Sequence, residues 1–249
     1  MQSNSIKKIL IIIVSRIGDT LLTTPAIKSI ENCYEGAEIT VLGHINRYKV
    51  LQYLPFIHNI KTISKNKAIW MGRFGEKYDL AFVYGFDENL VLYALRVSDK
   101  VIAFKQNNDR INQKLYKSVN FPVSKSIHFV DIFLSLPMAM NIHETGKRLL
   151  LSLTNNDKLF AEKIIADNKL KGKVLIGIQA VSFPTKSYRD WPIEHFLELC
   201  KKVIDKNQNV HFLIYGGCAE KEKEKNNLLL NGLAGNATSF IGMPLRETA

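Results

Sequence analysis

Cysteine is scarce and scattered. Cys33, Cys200 and Cys218 are the only three in 249 residues, and their spacing suits neither a disulfide frame nor a metal knuckle, which excludes a disulfide-held scaffold and points to a reducing compartment. Glycine-rich phosphate loops are also missing. A single glycine, Gly18, follows the first apolar run, so neither the three-glycine dinucleotide fingerprint nor the P-loop with its lysine is present. No Asp-x-Asp cluster occurs that would chelate a divalent ion on a diphosphate. No apolar run approaches the ~20 residues of a membrane span. Lys7 and Lys8 ahead of an apolar run imitate a secretory signal, but Arg16 and Asp19 interrupt it and no small-residue cleavage site follows. A cytoplasmic protein, at most peripheral to a membrane, is the expectation.

Acid is the remaining deficit. The 23 Asp and Glu against 34 Lys and Arg leave a net charge of +11, which calls for an acidic partner without choosing its class. Between Lys100 and Lys125 the basic residues Lys105, Arg110, Lys114 and Lys117 are opposed only by Asp109, a candidate contact with an anionic surface. Nucleic acid is disfavoured, because the aromatics fall within strand and helix patterns and do not alternate with cations. The six histidines show no ligand spacing and read as surface or capping residues.

What is present is alternation. Lys8–Val14 reads as a buried parallel strand, and Leu21, Leu22, Ala26, Ile27 and Ile30 as the apolar face of one following helix. Strands over 38–42, 60–64, 78–84 and 100–104 alternate with helical stretches, after which 106–125 turns polar and 129–140 turns apolar, with Pro137 kinking or ending that helix. Beyond a linker near 141–147 a second α/β pattern begins, with strands near Val174, Val210 and Ser239. The reading is a doubly wound α/β fold of two Rossmann-like domains, 1–145 and 146–249, facing a cleft at their strand carboxyl ends, the second domain being incomplete.

At the carboxyl end of the first strand stands Asp19. An acid in a first helical turn often interacts only with the helix dipole, and it would also repel a phosphate, so this turn reads as holding a proton acceptor. The segment Arg16-Ile-Gly-Asp-Thr-Leu-Leu-Thr-Thr-Pro25 resembles the amino-terminal signature of glycosyltransferase family 9, the bacterial lipopolysaccharide core heptosyltransferases. The resemblance implies a GT-B-like fold, Asp19 as catalytic base, and Ser15, Arg16 and Gly18 as the loop on the acceptor side.

The second half carries two further elements. The loop 179–190 brings hydroxyls and two cations to a strand end ahead of Trp191-Pro192, the composition of a diphosphate site. It resembles the cation-x-Trp-Pro element that opens the family's donor half, which implies donor-binding roles for Ser182, Lys186 and Arg189. Gly216-Gly217-Cys-Ala-Glu220 is similar to the family's Gly-Gly-x-x-Glu element, implying a ribose contact for Glu220, and Met243 matches a segment near the adenine.

The resemblance thus implies an inverting, metal-independent transfer of heptose or a related sugar from an ADP-sugar to the acidic lipopolysaccharide core, with no cofactor and with peripheral inner-membrane contact. Family members continue past residue 249 with a strand and an Asp-[Ser/Thr]-Gly-x-x-His turn, so a fragment of a longer protein is the expectation. The alternative is a truncated, catalytically impaired nucleotide-binding module of the same fold.

Overall fold

The isoleucine-rich run Lys8–Ile13 forms strand β1, with Ile9 to Ile13 buried. β-Branched residues that bury on both strand faces suit the centre of a parallel sheet covered by helices. The computed structural model describes residues 6–70, 76–122, 126–182 and 184–248, without the side chains of Lys65 and residues 184–186. Two compact units result, Met1–Ser152 and Leu153–Ala249.

In the first unit β1 pairs on one side with β2 (Glu38–Gly43), which pairs with β3 (Asn59–Thr62). On its other side lies β4 (Tyr78–Val83), then β5 (Ser98–Phe104) and β6 (Lys117–Val119). All pairings are parallel and the order is β3-β2-β1-β4-β5-β6, a doubly wound sheet whose switch point lies beside β1. The helices are α1 (Ile17–Leu22), α2 (Thr24–Cys33), α3 (Lys65–Trp70), α4 (Glu88–Val97), α5 (Asp109–Asn112) and α6 (Phe129–Met138). α6 ends one residue after Pro137 and packs on α2. The chain stays on this unit past α6 because Thr145 N–H donates to Ser29 Oγ (3.1 Å) and Leu150 N–H to Thr24 Oγ1 (3.0 Å).

Three elements of this unit are absent from the sequence reading: α3, α5 and β6. The two helices have six and four residues, too short for a helical apolar period to show. β6 is an edge strand of three residues beginning with an exposed lysine, a device that protects a sheet edge and carries no apolar alternation.

The second unit comprises α7 (Asn155–Asp167), β7 (Val174–Ile178), α8 (Ile193–Lys206), β8 (Val210–Gly216), α9 (Glu220–Gly232) and β9 (Ala237–Ile241). Its parallel sheet runs β7-β8-β9. Ile178, Cys200, Phe212, Ile214 and Leu229 form its core, whereas Val174 and Leu175 on β7 are 48% and 37% exposed. α7 opens with a capping box between Thr154 and Asp157, and Asp157 also receives Arg246, which holds its carboxyl well below the usual carboxylate range.

One histidine departs from the surface reading. His211 is buried on β8 and its Nε2 lies 2.8 Å from Thr238 Oγ1; burial pushes its pKa down. Strand parity places it with Leu213 on the face opposite Val210, Phe212 and Ile214, beside Thr238 of β9.

Glu76 ties three strands of the first unit together. It accepts from Lys61 Nζ (2.7 Å), Lys8 Nζ (3.0 Å) and Tyr78 Oη (2.9 Å), and these donors bring its pKa down to about 2. A free Glu titrates near ~4.3, so the stabilisation is complete above that value and is lost as pH falls from it toward 2. We predict that Glu76→Gln lowers the urea midpoint at neutral pH, and that the variant and parent curves converge on acidification; parallel curves would show that Glu76 carries no linked charge.

Candidate functional site

The site of the first unit begins with a break in a helix. The sequence pattern suggested one helix, but α1 and α2 are separated at Thr23. Pro25 lacks the N–H that would bond Leu21 O four residues back, and Thr24 Oγ1 takes its place at 2.7 Å. Thr20 and Thr23 hydroxyls likewise bond the carbonyls of Arg16 and Thr20. Thr20, Thr23 and Thr24 are all buried, so the threonines of the signature hold the short α1 at the carboxyl edge of the sheet.

Asp19 lies in the first turn of α1, yet no side chain caps that helix at Arg16. Instead Asp19 Oδ2 accepts from Ser15 Oγ at 2.6 Å. Its other oxygen has no partner among the described residues. The simple capping role is therefore not what this carboxylate does. It lines a cavity of about 550 Å³ with Ser15, Arg16, His44, Arg47 and Asn66, which stand on the segments that follow β1, β2 and β3, Asn66 in the first turn of α3.

Arg47 and His44 were missed by the sequence reading. Gly43 ends β2, and a Cβ there would meet Tyr48 Cβ at 2.9 Å; only glycine lets the following turn, 48–51, fold back so closely. The turn closes through Arg47 N–H to His44 O (2.9 Å), and Arg47 Nη1 reaches Ser15 O at 3.0 Å. A glycine at the end of the strand next to β1 was the available signal. Among the described residues no carboxylate pairs with Arg16 or Arg47. The cavity thus offers one proton acceptor and two guanidiniums, a combination that suits an anionic molecule bearing hydroxyls.

The second unit gathers its sequence-predicted residues at the carboxyl edge of its own sheet. Ser182 follows β7, Gly216 ends β8 and Gly217 follows it, and Met243 follows β9; Gly216 pairs with Ile241, and Gly242 N–H donates to Gly216 O at 2.8 Å. Arg189 is exposed, 5.4 Å from the Tyr188 ring. The Lys186 side chain lies outside the described residues. Trp191 packs on His195 and Phe196 at 5.4 and 5.0 Å, which fixes the start of α8 and its free N–H groups.

Beneath this loop is Asp190, whose side chain is 4% exposed. It accepts the Ser182 N–H (2.8 Å) and Lys225 Nζ (3.0 Å). Hydrogen bonds from the Ser182 hydroxyl and N–H, with Lys225, hold its carboxyl below the usual carboxylate range. Ser182 is thereby pinned, and no sequence signal marked Asp190 or Lys225.

The paired glycines answer to packing from α9. A Cβ on Gly216 would sit 2.1 Å from Asn226 Nδ2, and one on Gly217 2.2 Å from Glu222 Oε2. Asn226 is fully buried, and neither atom of its amide has a partner among the described residues. Glu222 is buried against the turn whereas Glu220, two residues earlier, is exposed.

No family model and no curated protein sequence matches the chain. Solved structures do. A glycosyl transferase family 9 protein from Veillonella parvula matches with a TM-score of 0.82 at 17% identity, over 96% of this chain and 70% of that one. E. coli ADP-heptose lipopolysaccharide heptosyltransferase II gives 0.72 at 17%, over 96% and 74%. An E. coli heptosyltransferase solved with ADP gives 0.68 at 16%, over 97% and 76%. At these identities the likeness is one of fold: the chain has the GT-B-type architecture expected from its sequence.

The glycines make opposite predictions. Gly216→Ala must displace a buried asparagine and lowers the stability of the second unit by about 1–3 kcal/mol. A Cβ on Gly18 would meet nothing within 4 Å, and this residue lies inside α1, so Gly18→Ala is neutral or stabilising by up to about 1 kcal/mol. Urea unfolding of both variants checks the pair, and equal losses would refute the packing account.

Proposed function

We propose that the chain is an inverting glycosyltransferase that moves a heptose, or a related sugar, from an ADP-sugar to a hydroxyl of the lipopolysaccharide inner core. The observation that carries this reading is Asp19, held by Ser15 Oγ at 2.6 Å in a cavity with two guanidiniums free of carboxylates. The shared fold with heptosyltransferases supports it.

In this reading Arg16 and Arg47 take the acidic groups of the acceptor and Asp19 accepts its hydroxyl proton. The oxygen attacks the anomeric carbon from the side opposite the departing ADP, so a single displacement inverts that centre. Ser15 holds one carboxylate oxygen in place and leaves the other for the proton. On the donor side, Arg189, Lys186 and the N–H groups that open α8 offset the charge on the leaving diphosphate. Ser182, locked by Asp190, shapes that loop; Gly216, Gly217, Glu220 and Met243 border the nucleoside. Protein cations do the work that a metal does elsewhere, so no metal is required. The acceptor's location puts the protein in the cytoplasm, peripheral to the inner membrane.

A positioned base contributes roughly 10²–10⁴ in rate. Asp19→Asn is therefore expected to lower kcat for transfer from ADP-heptose to a deacylated core acceptor by about that factor, while calorimetry finds ADP affinity unchanged. Arg189→Ala is expected to weaken ADP binding instead. Loss of ADP binding in Asp19→Asn, or transfer abolished by a chelator, would overturn the assignment.

A further inference from the structure

The first unit contains a second cavity, about 570 Å³, at the opposite edge of its sheet from Asp19. Ile6, which precedes β1, lines it, as do Cys33 and Tyr34 at the end of α2, Lys100 on β5, and Tyr116 and Lys117 at the start of β6. Its volume is that of a small-molecule site. Two of its lining residues belong to the basic stretch that the proposed transfer reaction leaves unused.

The chemistry of the walls is specific. Lys100 Nζ and Lys117 Nζ lie 5.2 and 6.0 Å from the centroid of the same Tyr116 ring, so both ammoniums are held beside one aromatic side chain of the cavity wall. Among the described residues no carboxylate lines the cavity and none pairs with either lysine. Two unneutralised cations lining one cavity call for an anionic group. The opposite wall is formed where α2 and α6 end, and helix ends carry carbonyls without intrahelical partners. Those carbonyls accept hydroxyl donors and disfavour further anionic groups. The tyrosine hydroxyls of Tyr34 and Tyr116 can donate to oxygen.

We propose that this cavity is a binding site for a phosphomonoester carried on a small polyhydroxylated body, with Lys100 and Lys117 on the phosphate and the helix-end carbonyls on the hydroxyls. The same headgroup chemistry is found in free sugar or glycerol phosphates and in phosphatidylinositol 4-phosphate, whose inositol keeps free hydroxyls, and the experiment separates the two. The site is independent of the transfer reaction proposed above.

Cys33 provides the readout. It is exposed in the cavity wall, Cys200 is buried, and Cys218 is the other exposed thiol. In a Cys218→Ser background, alkylation by neutral iodoacetamide reports on Cys33 alone. Burial pushes the Cys33 thiol up, so the reaction is run at mildly alkaline pH. Glycerol 3-phosphate at a few times a millimolar Kd is expected to slow alkylation about threefold or more, at constant ionic strength. Protection by the free phosphoester assigns a soluble ligand, and protection only by vesicles containing phosphatidylinositol 4-phosphate, with phosphatidylcholine vesicles inert, assigns a lipid headgroup. Lys117→Gln, at an exposed position that leaves the core untouched, and Lys100→Gln are each expected to remove the protection and the accompanying rise in Tm. Unchanged alkylation with both ligands, or protection that survives both substitutions, would overturn the proposal.

Discussion

Everything at the first site follows from the burial of β1 on both faces. A strand flanked by β2 and β4 and covered by helices can release its chain only at the sheet edge. There the backbone N–H and carbonyl groups that leave the ladder need partners. The signature residues supply them locally: Thr20, Thr23 and Thr24 bond carbonyls, and Thr24 replaces the hydrogen bond that Pro25 cannot make. The short α1 that results leaves Asp19 with a hydroxyl partner on one oxygen and the other open.

The second unit solves a related problem with the opposite electrostatics. Its first loop is built over Asp190, a carboxylate stripped of water and satisfied by Ser182 and Lys225. A buried acid with bonds on both oxygens holds a loop in one shape, since breaking the arrangement would strand a charge. The glycine turn is tight for a different reason, because α9 presses Asn226 and Glu222 onto it. Two loops on one sheet edge are thus rigid for unrelated causes, one polar and one steric, and the first presents the exposed Arg189 beside the Tyr188 ring.

The alternating strands and helices were legible because each apolar run is long and its period clear, and the buried run over 8–14 put Asp19 beyond a strand end, where the structure also has it. Short elements were not legible. β6, α3 and α5 bury too little to leave a pattern, and the single helix read over 21–30 is two because Pro25 has no N–H for the Leu21 carbonyl and the Thr24 hydroxyl donates to it instead. His211 read as a surface residue, yet its ring is buried beside Thr238.

By itself the sequence determined the order of the elements, the strand-end position of Asp19 and the deficit of acid, since these depend on neighbours along the chain. Tertiary structure decided which distant residues join them. Arg47 meets Ser15 across 32 positions, Lys225 meets Asp190 across 35, and Lys100 and Lys117 converge on one ring. Such pairings are set by strand order and by which loops leave the same sheet edge, and neither is written in local periodicity.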